Sequence, residues 1–136
     1  MKEDIFVNYK NQVGLVSFIL LCINSYQLNV IGLKTISYLC LIIAFFSGCA
    51  DSYIFSNMYT RIIDKLFIII TILFYTIKTK GSDKLFNCIV LSWIFPLLYS
   101  KMSVTRTQWV FRHHLWHCYL FISITGYVTY KLTLIK

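Results

Sequence analysis

The sequence predicts an all-α, polytopic helical membrane protein with about five transmembrane helices. Three observations carry that prediction. Of the 136 residues, 58% are hydrophobic and only 13% charged, at a mean hydropathy of +0.70, whereas a soluble domain is about 45–50% apolar and about 25% charged. Apolar runs of 15–24 residues recur along the chain, separated by short polar stretches. Those runs show no alternation of period two, which favours helices over membrane strands. Thirteen basic and five acidic residues cannot coat a globule of 16.0 kDa, and five glycines and one proline leave little loop material. The composition excludes a soluble enzyme, a disordered tail and a disulfide-stapled secreted domain. At about 20 residues per span, the length admits no more than about five or six helices.

The whole chain, 1–136, reads as one transmembrane domain. The first span is expected over about 13–28, with Val13–Ile23 as its apolar core and Asn24-Ser25-Tyr26-Gln27 as a turn. The second covers about 31–50 and ends at Ser47, Cys49 and Asp51. A polar connector from Asp51 to Thr60, carrying Tyr53, Asn57 and Tyr59, leads to the third span at 62–77, with Asp64 and Lys65 in its opening turns. Lys78–Lys84 is the clearest loop. The fourth span, 85–99, holds Pro96, a residue tolerated in a membrane helix when neighbours satisfy the freed carbonyl. The fifth and longest, about 107–130, carries Arg112, His113, His114 and His117.

The net charge of +8 is spread one or two residues at a time between apolar runs and forms no stripe. That pattern fits basic side chains snorkelling to anionic head groups, and nucleic-acid binding is rejected. Five spans place Lys2, Lys10, Arg61, Lys65, Lys101, Arg106 and Arg112 on one side against Lys34, Lys78, Lys80, Lys84, Lys131 and Lys136 on the other, which sets no orientation. Cys22, Cys40, Cys49, Cys88 and Cys118 lie in or beside apolar runs with no CxxC spacing and are read as free thiols. The mixed charges of Met1-Lys2-Glu3-Asp4 and the lack of a small-residue cleavage site after Val13–Ile23 speak against a cleaved signal peptide.

Ionisable groups inside spans are costly and by default mark function. Asp51 closes the second span, Asp64 opens the third, and His113 and His117 fall in the first two turns of the fifth. An antiparallel threading of five spans brings all four to one membrane face. His113 and His117 are four residues apart, so both rings face one side of the helix, as do Ser47 and Asp51. Catalytic zinc takes three protein ligands and keeps one position open. His113, His117 and Asp51 supply such a set. Asp64 is then placed to orient a water or a ligand histidine, and Ser47 to bond the water or a developing oxyanion. The same residues admit plainer readings: an interfacial histidine turn, an Asp64 paired with Arg61 or Lys65, and Trp109, Trp116 and Tyr119 as belt aromatics.

At these positions the sequence resembles the CREST superfamily, which includes alkaline ceramidases, progestin and adipoQ receptors, GPI-remodelling lipid hydrolases and the transmembrane-8/myomaker group. His113-His114-Leu115-Trp116-His117 matches the family's H-x-x-W-H, with Gly126-Tyr127 following as in several members. Arg61-Ile62-Ile63-Asp64 stands where the family aspartate opens a helix. Phe45-Phe46-Ser47-Gly48-Cys49-Ala50-Asp51 stands where the family has F-x-S-x-x-x-H. The resemblance covers roughly residues 30–70 and 105–130. Two departures stand out: Asp51 replaces the family's first zinc histidine, and family members usually have seven spans where five are read here. The resemblance implies a zinc-dependent amide or ester hydrolase of membrane lipids in an endomembrane (ER or Golgi) or plasma membrane. The alternatives are a non-catalytic membrane-remodelling or regulatory member of the same group, or an unrelated channel or transporter subunit that forms a pore only as a homo-oligomer.

Overall fold

The computed structural model describes residues 3–52 and 57–135, with side chains from Lys10 onward. Lys2, Lys136 and Tyr53 of the expected connector lie outside the described residues. Six helices and no strand occur among those described: α1 (Glu3–Val30), α2 (Lys34–Asp51), α3 (Met58–Lys78), α4 (Lys84–Ser92), α5 (Ile94–Lys101) and α6 (Arg106–Ile135). They run as five antiparallel passes, α4 and α5 sharing the fourth. Packing joins α1 to α2 and α6, α2 to α3, and α4 and α5 to α6. Three helices are long and apolar enough to cross a membrane: Lys10–Val30, Lys34–Asp51 and Arg106–Ile135. The third pass carries Arg61, Asp64 and Lys65, and the fourth is split into two short helices.

The expected turn at Asn24–Gln27 is instead helix, and α1 continues to Val30. Its polar residues point inward: Asn24 and Ser25 are buried, and Ser25 Oγ lies 2.9 Å from Ser37 Oγ on α2. The real stop is Gly32, at φ +79°, a conformation open to glycine without strain. There the Leu33 N–H bonds Leu28 O and the Gly32 N–H bonds Asn29 O, closing the helix in a Schellman motif. Leu28 and Leu33 pack into the same core, the apolar contact that accompanies this cap.

The α1–α2 hairpin closes through small residues. Ser17 Oγ sits 3.0 Å from Ser47 Oγ, and Cys40 Sγ donates to Leu21 O at 3.4 Å. At the open end Gly14 and Gly48 let the two backbones approach. A Cβ on Gly14 would lie 2.6 Å from Gly48 O and 3.0 Å from Ser52 N.

The fourth pass, expected as one helix over 85–99, breaks at Trp93. Pro96 explains the position. Proline has no N–H for the carbonyl four residues back, here that of Ser92, and its ring crowds that carbonyl. Side chains of α6 steady the break: Trp93 Nε1 donates to Ser123 Oγ at 2.9 Å, and Tyr119 OH donates to Ser92 Oγ at 2.8 Å.

At the far end, Asp83 ties three passes together. Its Oδ1 accepts the Phe86 N–H and so caps α4. Its Oδ2 accepts Tyr75 OH and Tyr127 OH, each at 2.8 Å, and pairs with Lys131 Nζ at 2.7 Å. The two tyrosine hydroxyls also meet each other. Partial burial opposes charge on Asp83, but the Lys131 ammonium, the Phe86 N–H and the tyrosine hydroxyls outweigh it and hold the carboxyl below its ordinary range.

Two outcomes follow from this packing. Gly14→Ala forces backbone against backbone and lowers stability by about 1–3 kcal/mol, read as a fall in the thermal midpoint of the detergent-solubilised chain. Because the Asp83 carboxyl is depressed in the fold, its contribution is present above the unfolded value near 3.8 and lost as pH falls through and below it. Asp83→Asn therefore flattens the acid limb of a thermal-midpoint-against-pH profile; a limb as steep as the wild type's counts against the assignment.

Candidate metal centre

Asp51, His113 and His117 come together at the end of the bundle where α2 finishes and α6 begins. His113 Nε2 lies 2.9 Å from Asp51 Oδ1, and His117 Nε2 lies 2.8 Å from Asp51 Oδ2. The two histidines sit on α6, about two and three turns from its start at Arg106, one residue before the start expected from the sequence. Their i, i+4 spacing stacks the rings on one face, with centroids 4.9 Å apart. Both are buried, and Asp51 is half-buried.

A carboxylate only accepts, so in this arrangement both Nε2 atoms carry the proton and donate. The other nitrogen of His113 is also held: Nδ1 lies 3.0 Å from Ser100 Oγ, and Ser100 is 1% exposed. A hydroxyl both donates and accepts. Ser100 therefore serves either tautomer of His113, donating to Nδ1 when the proton is on Nε2 and accepting from it when Nε2 is a ligand. Indoles complete the walls. Trp109 stacks on His113 at 4.7 Å, and the Trp116 ring lies 5.2 Å from His113 and 4.9 Å from His117. These two tryptophans, candidate belt aromatics by sequence, pack on the imidazoles.

One ligand atom from each of Asp51, His113 and His117 falls within 4.8 Å of the others, the compactness a single ion requires. Two imidazoles and a carboxylate are also a donor set that zinc accepts. The residues present thus fit a divalent metal, and the described structure makes the group one that can hold it. Cys49 and Cys118 take no part: Cys118 is exposed and neither belongs to the cluster.

Ser47 and Asp64 lie beside the trio. Ser47, one turn before Asp51, is 3% exposed, bonds Ser17 and reaches the Asp64 carboxylate. Asp64 sits in the second turn of α3, and its Oδ1 is buried without a hydrogen-bond partner. The indole Nε1 of Trp116 is likewise buried and unpartnered. One spare acceptor and one spare donor thus flank the cluster. Below it, an apolar cavity of about 90 Å³ begins at Ser47, Trp116 and His117 and ends at Phe86 and Tyr127.

Arg112 has another task. Its Nη1 donates to Met102 O at 3.1 Å, and its guanidinium lies 4.2 Å from the Tyr99 ring centroid. It caps the end of α5.

Sequence reasoning missed Ser17 and Ser100. No spacing rule links a lone serine to a histidine thirteen residues on. Comparison with protein-family models, curated proteins and solved structures finds no match.

Removing the carboxylate strands two buried imidazole donors. Asp51→Ala is expected to cost about 1–3 kcal/mol in unfolding of the metal-free protein. A double-mutant cycle with His117→Ala should return a coupling of at least about 0.5 kcal/mol. Strict additivity would mean that the pair does not interact in solution.

Proposed function

We propose that the chain is an integral membrane protein whose five passes all lie in the bilayer, and that it is a zinc-dependent hydrolase of an amide or ester bond in a membrane lipid. The observation that carries the reading is the convergence of Asp51, His113 and His117 from two separated helices onto one ion-sized volume. The exterior supports the membrane part. Leu15, Phe45, Phe95, Phe111 and Ile122 are more than half exposed, while serines, Asn24 and both cluster histidines are buried. That is the distribution expected where lipid surrounds the helices and polar groups serve as internal contacts.

His113, His117 and Asp51 would hold the ion. A divalent cation there supplies Lewis-acid polarisation of a carbonyl and makes water acidic enough to ionise near neutral pH. The protein's own groups divide the remaining work. Asp64 Oδ1, buried and unpaired, accepts a proton from the attacking water. The spare Trp116 N–H, beside His117, is the donor available to charge that develops on the carbonyl oxygen. The apolar cavity below His117 takes part of an acyl chain and keeps bulk water out. Ser100 would accept the His113 Nδ1–H when Nε2 is a ligand. The resemblance to CREST lipid hydrolases points the same way, and Asp51 in place of the family histidine lowers the charge of the filled site by one.

A second reading rests on one observation. Both Asp51 oxygens are already bonded to both imidazoles at 2.8–2.9 Å. The trio then serves as a latch between α2 and α6 in a non-catalytic, membrane-remodelling or regulatory protein.

The two readings separate in an assay of the full chain reconstituted with long-chain ceramide and with acyl ester lipids. The hydrolase reading predicts release of free fatty acid that a chelator abolishes and zinc restores. Asp64→Asn should lower kcat by roughly 10²–10⁴-fold with metal retained. Ser100→Ala should weaken metal affinity by roughly 10–100-fold. The latch reading predicts no fatty acid from either lipid and no response to metal.

A further inference from the structure

The end of the bundle away from the metal cluster holds a second, unrelated site. An open cleft of about 600 Å³ lies between the α3–α4 loop and the last turns of α6. Lys78, Lys80, Lys84 and Lys131 line it against a single carboxylate, Asp83, leaving three positive charges in excess. We propose that this cleft binds the phosphate group of a phosphorylated lipid headgroup at the membrane surface. The proposal rests on the membrane reading above but not on the hydrolase reading.

The cations are not interchangeable. Lys131 is committed: its Nζ is 2.7 Å from Asp83 Oδ2 and 5.3 Å from the Tyr127 ring centroid. Asp83 is equally committed, to Lys131, two tyrosines and the α4 cap. Lys78, Lys80 and Lys84 are therefore exposed cations with no carboxylate partner among the described residues. Several of the loop's other donors are occupied. The Lys80 and Gly81 N–H groups close α3 on Ile77 O and Thr76 O, and the Thr79 and Ser82 hydroxyls bond backbone carbonyls. What the cleft offers a ligand is thus three free ammonium groups, which recognise a multiply charged anion rather than a hydroxyl or an amide.

Backbone geometry holds this arrangement at a cost. Lys80 has φ +51°, the left-handed region, at the position after the helix cap where glycine is usual. Gly81 beside it is also left-handed, at φ +68°. Leu85 and Leu134 on the rim give the cleft an apolar edge, which suits a headgroup still attached to its chains better than a free ion. Basic pockets at helix ends beside a bilayer are the usual setting for such headgroups.

The test is native mass spectrometry of the full chain released from micelles containing phosphatidylcholine and phosphatidylinositol 4-phosphate. The expected result is selective retention of the phosphorylated lipid. Lys78→Gln/Lys80→Gln/Lys84→Gln should weaken it roughly a hundredfold, Lys84→Gln alone about fivefold, and the triple Lys→Arg variant little. The single variant keeps the test decisive should the triple one fail to fold. Lys34→Gln, at the same end of the bundle but outside the cleft, should leave retention unchanged. Inorganic phosphate serves as competitor. Persistence of the lipid assigns the cleft to the headgroup, and displacement at equal concentration assigns it to free phosphate and overturns the lipid source. Equal retention of phosphatidylcholine, wild-type retention by the triple Gln variant, or an equal loss from Lys34→Gln would overturn the proposal.

Discussion

The Asp51 carboxylate is the contact on which the arrangement turns. It reaches from the last residue of α2 to two imidazoles on α6, and both of its oxygens are used. Beside it α2 lies close against α1, an approach that Gly14 and Gly48 permit. His113 is fixed in turn by Ser100 at the end of α5 and by the Trp109 ring. Four of the six helices therefore set the geometry of three side chains.

At the opposite end a second carboxylate does comparable work. Asp83 gathers Tyr75, Tyr127 and Lys131, and so closes α3 and α6 around the start of α4. Between the two polar ends lies the apolar cavity, with His117 at one limit and Tyr127 at the other. The helices thus surround an apolar interior that is tied at both ends by a carboxylate network. The division of labour is chemical: one end gathers imidazoles and can take a cation, the other presents free lysines and suits an anion.

Much of this was legible from sequence because the chemistry is concentrated in few residues. With so little charge, the four polar residues Asp51, Asp64, His113 and His117 stood out, and helical spacing put the histidines on one face. All-helical architecture followed from the apolar runs. Two features were not legible. Asn24-Ser25-Tyr26-Gln27 looked like a turn because polarity usually marks loops, yet here Asn24 and Ser25 face the interior while apolar side chains face out. The fourth pass looked continuous because its hydrophobicity is unbroken, while Pro96 acts four residues upstream of itself, at Ser92. Ser100 and Ser17 were invisible for a different reason: their roles arise only from contacts between passes, and a serine carries no spacing signature of its own.

The central claim is that Asp51, His113 and His117 form a metal site and not merely a hydrogen-bonded latch. X-ray absorption at the zinc edge, on full-length protein loaded with zinc and freed of excess metal, tests it most directly. The account predicts about one zinc per chain, with two imidazole nitrogens and carboxylate oxygen at about 2.0–2.2 Å, and loss of the nitrogen scattering in His113→Ala/His117→Ala. Protein that retains no zinc, or zinc whose scattering is unchanged in that double variant, would contradict it.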